Sequence, residues 1–315
     1  MAFQWIRRAA LVGTAATALL LASCGGGTVE SKFTPSRVIA FGDGMADVGQ
    51  DGSRYTVNDG TVNIWAQFLA GSYGQPLVAS SQGGLGYAWG NARVSDKPDA
   101  AGNSATPTVT EQVDAFLASN TISSDDLVIV SAGTSDVITQ VRMVVDGLQT
   151  SDQMTANTNA AGRALAAQVK RLVSAGAKHV VVAGTYDLGR SPWANQMGTD
   201  ALLHPASQEF NNGLLVSLVD AGANVLYVDF ALYFNQQTSS SSNVSNRTDL
   251  VCTSVDPGPG IGTGNGQVNS HMCDTQTILP LADYNNYLFA DRVYPTPRGH
   301  QLFGDYAHGR VKERW

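Results

Sequence analysis

Arg37-Val38-Ile39-Ala40-Phe41-Gly42-Asp43-Gly44-Met45-Ala46-Asp47-Val48-Gly49 is the stretch on which the fold turns. Its short apolar run, rich in β-branched residues and closed by Gly-Asp-Gly, reads as a buried strand ending in a sharp turn. Downstream, similar runs predict strands over residues 76–79, 127–131, 179–183 and 224–228. Longer amphipathic stretches predict helices over 62–70, 110–118, 158–175 and 206–221. In the third of these, Ala161, Leu165, Val169, Leu172 and Val173 share one face at a 3.6-residue period. Strand and helix therefore alternate, which argues for a three-layer α/β/α sandwich on a mainly parallel central sheet, with ligands at the carboxyl ends of the strands. No internal repeat or interdomain linker interrupts residues 37–315, and the polar run 238–242 reads as a surface loop.

Upstream of the first strand the sequence has a different character. Arg7 and Arg8 precede an apolar run from Ala9 to Ala22, which ends at Ser23 and Cys24. That order matches an export signal, and the run is shorter than the roughly 18 residues of a membrane-spanning helix. Leu21-Ala22-Ser23-Cys24 is similar to a bacterial lipobox, which implies a signal peptide over 1–23, lipidation of Cys24 and a tether over 24–36. The absence of Asp directly after Cys24 implies an outer-membrane lipoprotein, facing the periplasm or the cell surface.

Composition narrows the partners. The 315 residues carry 26 acidic and 19 basic side chains, a net charge of −7, with 43% hydrophobic and 14% charged residues. This excludes a disordered chain, and without a basic block there is no electrostatic footprint for nucleic acid. Neutral small molecules, esters or glycans are the expected ligands; nothing in the sequence sets the oligomeric state. Of three cysteines, Cys252 and Cys273 remain after Cys24, an even pair in an exported chain, and a disulfide between them is expected. His271 lies nearby, but these residues lack the paired spacing of a zinc site, and no loop has the regular oxygen spacing of a calcium site. No metal or cofactor is expected.

At the predicted strand ends, Phe41–Gly49 resembles the first sequence block of the GDSL, or SGNH, hydrolases. Gly83-Gly84-Leu85-Gly86-Tyr87-Ala88-Trp89-Gly90-Asn91-Ala92-Arg93 resembles the second block. Gly133-Thr134-Ser135-Asp136 stands where that family has Gly-x-Asn-Asp, and Asp291-Arg292-Val293-Tyr294-Pro295-Thr296 where it has Asp-x-x-His-Pro-Thr. The four blocks occur in order and cover most of the chain after the tether. The resemblance implies a flavodoxin-like SGNH-hydrolase fold and cleavage of carboxylic esters by a Ser nucleophile, a His base and an orienting Asp. It also implies an oxyanion hole of backbone N–H groups and an Asn side chain.

The chain departs from that pattern where the chemistry lies. Gly44 holds the nucleophile position and has no oxygen to attack with. Tyr294 holds the base position, and a phenol with an ordinary pKa of about 10 stays protonated at neutral pH. Ser135 replaces the oxyanion Asn, and either Gly90 or Asn91 matches the Gly of the second block. Asp291 alone is retained. Because nucleophile and base act as a unit, losing one leaves little reason to keep the other. The expectation is a non-catalytic binding or accessory module, with an acidic crevice bordered by Asp43, Asp47 and Asp136 and with the N–H groups of Gly44 and of Gly90 or Asn91 facing it. An active ester hydrolase with a rebuilt site, Ser135 attacking with His300 as base, is the second reading; a structural envelope protein is the third. His300 falls in the first turn of a helix expected to open at Thr296 and Pro297. His179, His204, His271 and His308 read as structural or solvated residues.

Overall fold

The computed structural model describes residues 33–239 and 244–315. The expected signal peptide, Cys24 and most of the tether lie outside those residues, as do residues 240–243. Four strands, β1 (Arg37–Gly42), β2 (Asp126–Ser131), β3 (His179–Ala183) and β4 (Val225–Tyr227), form one sheet in the order β1-β2-β3-β4. Every pairing is parallel. β2 is buried along its whole length, and β1 and β3 are buried after their first residue. Continuous apolar runs such as Leu127–Val130 are what a strand covered on both faces requires.

Eight helices flank this sheet among the described residues: α1 (Trp65–Gly71), α2 (Val109–Ser119), α3 (Thr134–Val145), α4 (Ser151–Ser174), α5 (Pro192–Met197), α6 (Asp200–Ser217), α7 (Phe230–Gln237) and α8 (Pro297–Arg314). α4 packs along α6, and α3 touches both, while α1 and α7 pack on α8. The α4–α6 approach depends on two glycines. A Cβ on Gly162 would sit 2.0 Å from Phe210 O, and one on Gly213 would sit 2.1 Å from Asn159 O. The three-layer α/β/α sandwich read from the sequence is the architecture observed.

Several boundaries differ from expectation. Residues 76–79 form no strand. Instead, Ala40 N–H donates to Leu85 O at 3.0 Å and Tyr87 N–H to Ala40 O at 2.7 Å, so a glycine-bounded turn satisfies the free edge of β1. The turn folds tightly, since a Cβ on Gly84 would meet Val78 O at 2.2 Å. α4 begins seven residues before its apolar period does, because Thr150 and Gln153 form a capping box. α6 begins ahead of Pro205, which sits inside the helix. α3, α5 and α7 have no counterpart among the expected helices; their N-cap positions are Gly133, Ser191 and Asp229.

After α7 the chain leaves the sheet. β5 (Asn246–Leu250) pairs in parallel with β8 (Tyr287–Phe289), and β6 (Val255–Asp256) pairs with β7 (Gln267–Val268) as a small antiparallel ladder. Cys252 and Cys273 are joined by a disulfide that closes this excursion. Val57, Val251 and Ala290 pack around the buried cystine. The chain then returns to Asp291 and Tyr294 and enters α8, with Thr296 as N-cap and Pro297 as first helical residue.

Candidate functional site

The four sequence blocks meet at the carboxyl ends of β1 and β2, and the first of them is organised by Asp43. This carboxylate accepts the N–H of Met45 at 3.0 Å and of Gly133 at 3.0 Å, with Ser135 N–H at 3.4 Å. It therefore ties the turn after β1 to the start of α3. Gly133 is obligatory there: its φ is +125° and a Cβ would lie 2.4 Å from the ring of Phe210. Asp47 makes the next tie, accepting Gly49 N–H at 2.8 Å, Gln50 N–H at 3.0 Å and Gly90 N–H at 2.8 Å. Asp136 accepts Val94 N–H at 3.0 Å, and its other oxygen lies 3.6 Å from Arg93 Nε. Asp291 accepts Val293 N–H at 2.8 Å, Tyr294 N–H at 2.7 Å and Ser270 N–H at 2.9 Å.

All four carboxylates are buried. Burial pushes Asp43 and Asp47 up to about 6 and Asp136 to about 7, against the pull of the N–H groups and, for Asp136, of Arg93. Asp291 is raised for the same reason. These aspartates clamp loops together; Asp47 also borders an open cleft, whereas Asp43 and Asp291 are spent inside the cluster.

Gly44, Ser135 and Tyr294 also come together, but no crevice separates them. A Cβ built on Gly44 would lie 2.7 Å from Tyr294 Oη, 2.8 Å from Cζ and 2.9 Å from Cε1. The tyrosine ring thus stands in the space a side chain at position 44 would enter. Tyr294 and Ser135 are both fully buried, so the polar crevice expected at this point is filled. Neither Tyr294 Oη nor Ser135 Oγ has a hydrogen-bond partner of normal geometry, although the hydroxyl of Ser135 is near enough to favour the phenolate slightly. Burial, reinforced by the Asp43 charge, holds the phenol well above its ordinary pKa. As a general base it is out of range.

His300 does not join this cluster. It is buried in α8, accepts Trp65 N–H at Nδ1 over 3.4 Å, and is driven by burial down to about 3, so it is neutral. Its polar neighbours are backbone groups of Trp65 and Tyr55, and no contact links it to Ser135. The Ser135–His300 pairing is not assembled.

Space opens on the other side of Tyr55, a residue the sequence did not single out. Its ring packs on Tyr294 at 4.9 Å and on His271 at 5.0 Å between centroids. Beyond it lies a cleft of about 250 Å³ whose walls include Asp47, Tyr55, Trp89, Asn91, Asp99 and His271. The disulfide-closed excursion supplies the His271 side, held by Asp51 at 2.8 Å. Here the two alternatives in the second block separate. Gly90 N–H is taken by Asp47, and a Cβ at that position would overlap Tyr55 at 2.0 Å. Asn91 has a positive φ of 59°, its N–H has no acceptor among the described residues, and its Oδ1 is buried without a partner. Asn91 Nδ2 donates to Gly260 O at 3.0 Å. Its free N–H and Oδ1 can serve a ligand; Gly90 cannot.

Comparison with known proteins agrees with the block pattern. A sequence profile of the GDSL-like Lipase/Acylhydrolase family matches residues 38–307. A Pseudomonas putida protein described as an uncharacterized protein in the trpE-trpG intergenic region is 29% identical over 172 residues, 54% of this chain. The match spans only 28% of that protein's length. A crystal structure of a member of the lipolytic protein G-D-S-L family from Veillonella parvula DSM 2008 aligns with a TM-score of 0.46 at 12% identity, over 86% of this chain and 95% of that one. Among the described residues no helix is long and apolar enough to cross a membrane.

Proposed function

The chain belongs to the GDSL-like lipase/acylhydrolase family, and we propose that within it this protein is a non-catalytic binding or accessory module for a neutral ester, acyl or glycan ligand. The observation that carries this reading is the Tyr294 ring, less than 3 Å from where a Cβ on Gly44 would be. A nucleophile needs both an oxygen and a base within hydrogen-bond reach. Position 44 offers no oxygen, and position 294 offers a buried neutral phenol. The adjoining cleft supports a neutral ligand: Asp47 and Asp99 line it with the half-buried Trp89, and no lysine or arginine does. An anion would meet the negative charge of Asp47, Asp51 and Asp99 there.

The test is turnover of short- and long-chain aryl esters together with labelling by a fluorophosphonate serine probe. The expected result is no hydrolysis above background and no labelled serine. Stoichiometric labelling at Ser135 would replace this reading with the rebuilt hydrolase. The same proposal places the protein at the outer membrane through a lipid on Cys24, so Cys24→Ser should yield a folded protein that no longer sediments with membranes. Retention of that variant in the membrane fraction would refute the anchor.

A further inference from the structure

A second cleft, of about 240 Å³, lies at the carboxyl ends of β3 and β4, between α6 and α7. None of the four sequence blocks contributes to it. One wall is a polar stripe of α6, in which His204, Gln208 and Asn212 follow at helical spacing and Ser207 and Asn211 fix the backbone behind them. Ser207 Oγ accepts Leu188 N–H at 3.1 Å, and the Asn211 amide brackets Thr185 by accepting its N–H at 3.1 Å and donating to its carbonyl at 2.8 Å. These bonds build a rigid wall after β3.

The opposite wall holds Tyr227, Asp229 and Asn235. The two carboxylates of the cleft differ in what they still offer. Asp187 is committed: His204 Nδ1 is 2.7 Å away, Arg190 Nε 3.4 Å, and Gly189 N–H donates at 3.0 Å. Asp229 uses only Oδ1, as the N-cap of α7, accepting Leu232 N–H at 2.8 Å. Asn235 Oδ1 is buried with no donor. Tyr227, next to Asp229, has no hydrogen bond from its Oη to any described residue. Its pKa is raised by burial first and by the Asp229 charge second. No lysine or arginine lines the cleft. The uncommitted groups on this wall thus include a carboxylate oxygen, an orphaned amide oxygen and a phenol.

We propose that this cleft binds a small primary-ammonium ligand, its –NH3⁺ held by Asp229, Asn235 Oδ1 and Tyr227. An ammonium carries three donors and no acceptor, which matches that wall; a buried acceptor left without a donor is costly, and the ligand removes that cost. The phenol ring adds a face that attracts cations. The volume suits a molecule of a few heavy atoms, well below drug size.

The experiment is calorimetric titration of the full folded chain with 1,4-diaminobutane and, as an uncharged control of equal length, 1,4-butanediol, at fixed ionic strength and pH 7.5. The expected result is saturable binding of the diamine in the millimolar range or tighter, with none of the diol. Asp229→Asn keeps the helix cap while removing the charge, and it should weaken the diamine at least about tenfold, the loss of one charge-assisted contact. Asn235→Ala, which leaves the cap untouched, should also weaken it and serves as the readout if Asp229→Asn does not fold. Equal binding of the diol, unchanged diamine affinity in either folded variant, or no saturable diamine binding at millimolar concentration would each overturn the proposal.

Discussion

The cluster around Gly44 and the cleft beyond Tyr55 are built from the same sequence blocks and share a wall, yet one is filled and the other is open. In the first, Tyr294 takes the volume ahead of Gly44, and every neighbouring carboxylate is spent on backbone N–H groups. In the second, Asn91 keeps a free N–H and a free amide oxygen beside Trp89 and His271. The difference has a single steric origin at residues 44 and 294. Glycine at 44 makes room for a ring at 294, and the ring then seals the position. The loops stay in place because the aspartate clamps hold backbone N–H groups and not the side chains at positions 44 and 294.

The harshest way to break that contrast is to empty the filled region. Tyr294→Ala should lower unfolding free energy by about 3–5 kcal/mol, as truncation of a buried aromatic does, read by denaturant titration. It should also let a fluorescent ester analogue reach Gly44. A loss below 1 kcal/mol would mean the ring is not packed as described.

Forcing a side chain into the filled region is the next test. Gly44→Ser places a Cβ against the Tyr294 ring, so the single variant should lose about 1–3 kcal/mol to overpacking and show no ester turnover. Gly44→Ser with Tyr294→His should cost less than the sum of the two single changes, because the neighbours couple. Slow turnover is expected only in that double variant, and adding Ser135→Asn should increase it, since one oxyanion donor is commonly worth about 100- to 1000-fold. Strict additivity of the two stability changes would show that Gly44 and Tyr294 are independent.

A milder perturbation is titration of the buried carboxylates. The aspartate clamps of the filled region have pKa values of about 6 for Asp43 and Asp47 and about 7 for Asp136. These lie above the unfolded value of about 3.9. Between those limits the folded protein holds more protons than the unfolded chain, so their contribution is fully present below about pH 4 and is lost as pH rises through 6–7. Buried His300, lowered to about 3, acts in the opposite sense below its unfolded value of about 6.5. Three raised carboxylates outweigh one imidazole, so the melting temperature should be higher at pH 5 than at pH 8. Asp126 acts at the acid end: burial alone would raise it, but Arg37 and Ser123 N–H hold it low, so its contribution is lost as pH falls through that depressed pKa. A melting temperature that climbs from pH 5 to pH 8 would contradict the burial of the clamps.

The smallest effect expected is from Tyr294→Phe. The Oη has no partner, so removing it should leave stability unchanged or raise it by up to about 1 kcal/mol. A loss of more than that would reveal a hydrogen bond to Ser135.

Much of this was legible in order along the chain. β1, β2 and β3 were visible as apolar runs, α2 as an amphipathic period, and α8 through Thr296 and Pro297, because local pattern and capping chemistry decide such elements. The early start of α4 carried a local signal in Thr150 and Gln153 that apolar periodicity alone does not register. The absence of a strand at 76–79 had no such signal: Leu85 and Tyr87 capture the edge of β1 by long-range backbone bonds.

From the residues alone come the family blocks, a glycine at position 44 with no side-chain oxygen, a tyrosine at position 294 and the cysteines Cys252 and Cys273, since residue identity and order are enough for each. Only the tertiary structure decided that the Tyr294 ring fills the space before Gly44, that Gly90 is spent while Asn91 is free, and that Tyr55 divides a closed site from an open cleft. Those outcomes depend on which atoms from distant segments reach the same few cubic ångströms first. Packing volume and hydrogen-bond saturation are settled among neighbours in space, and no residue's place along the chain announces them.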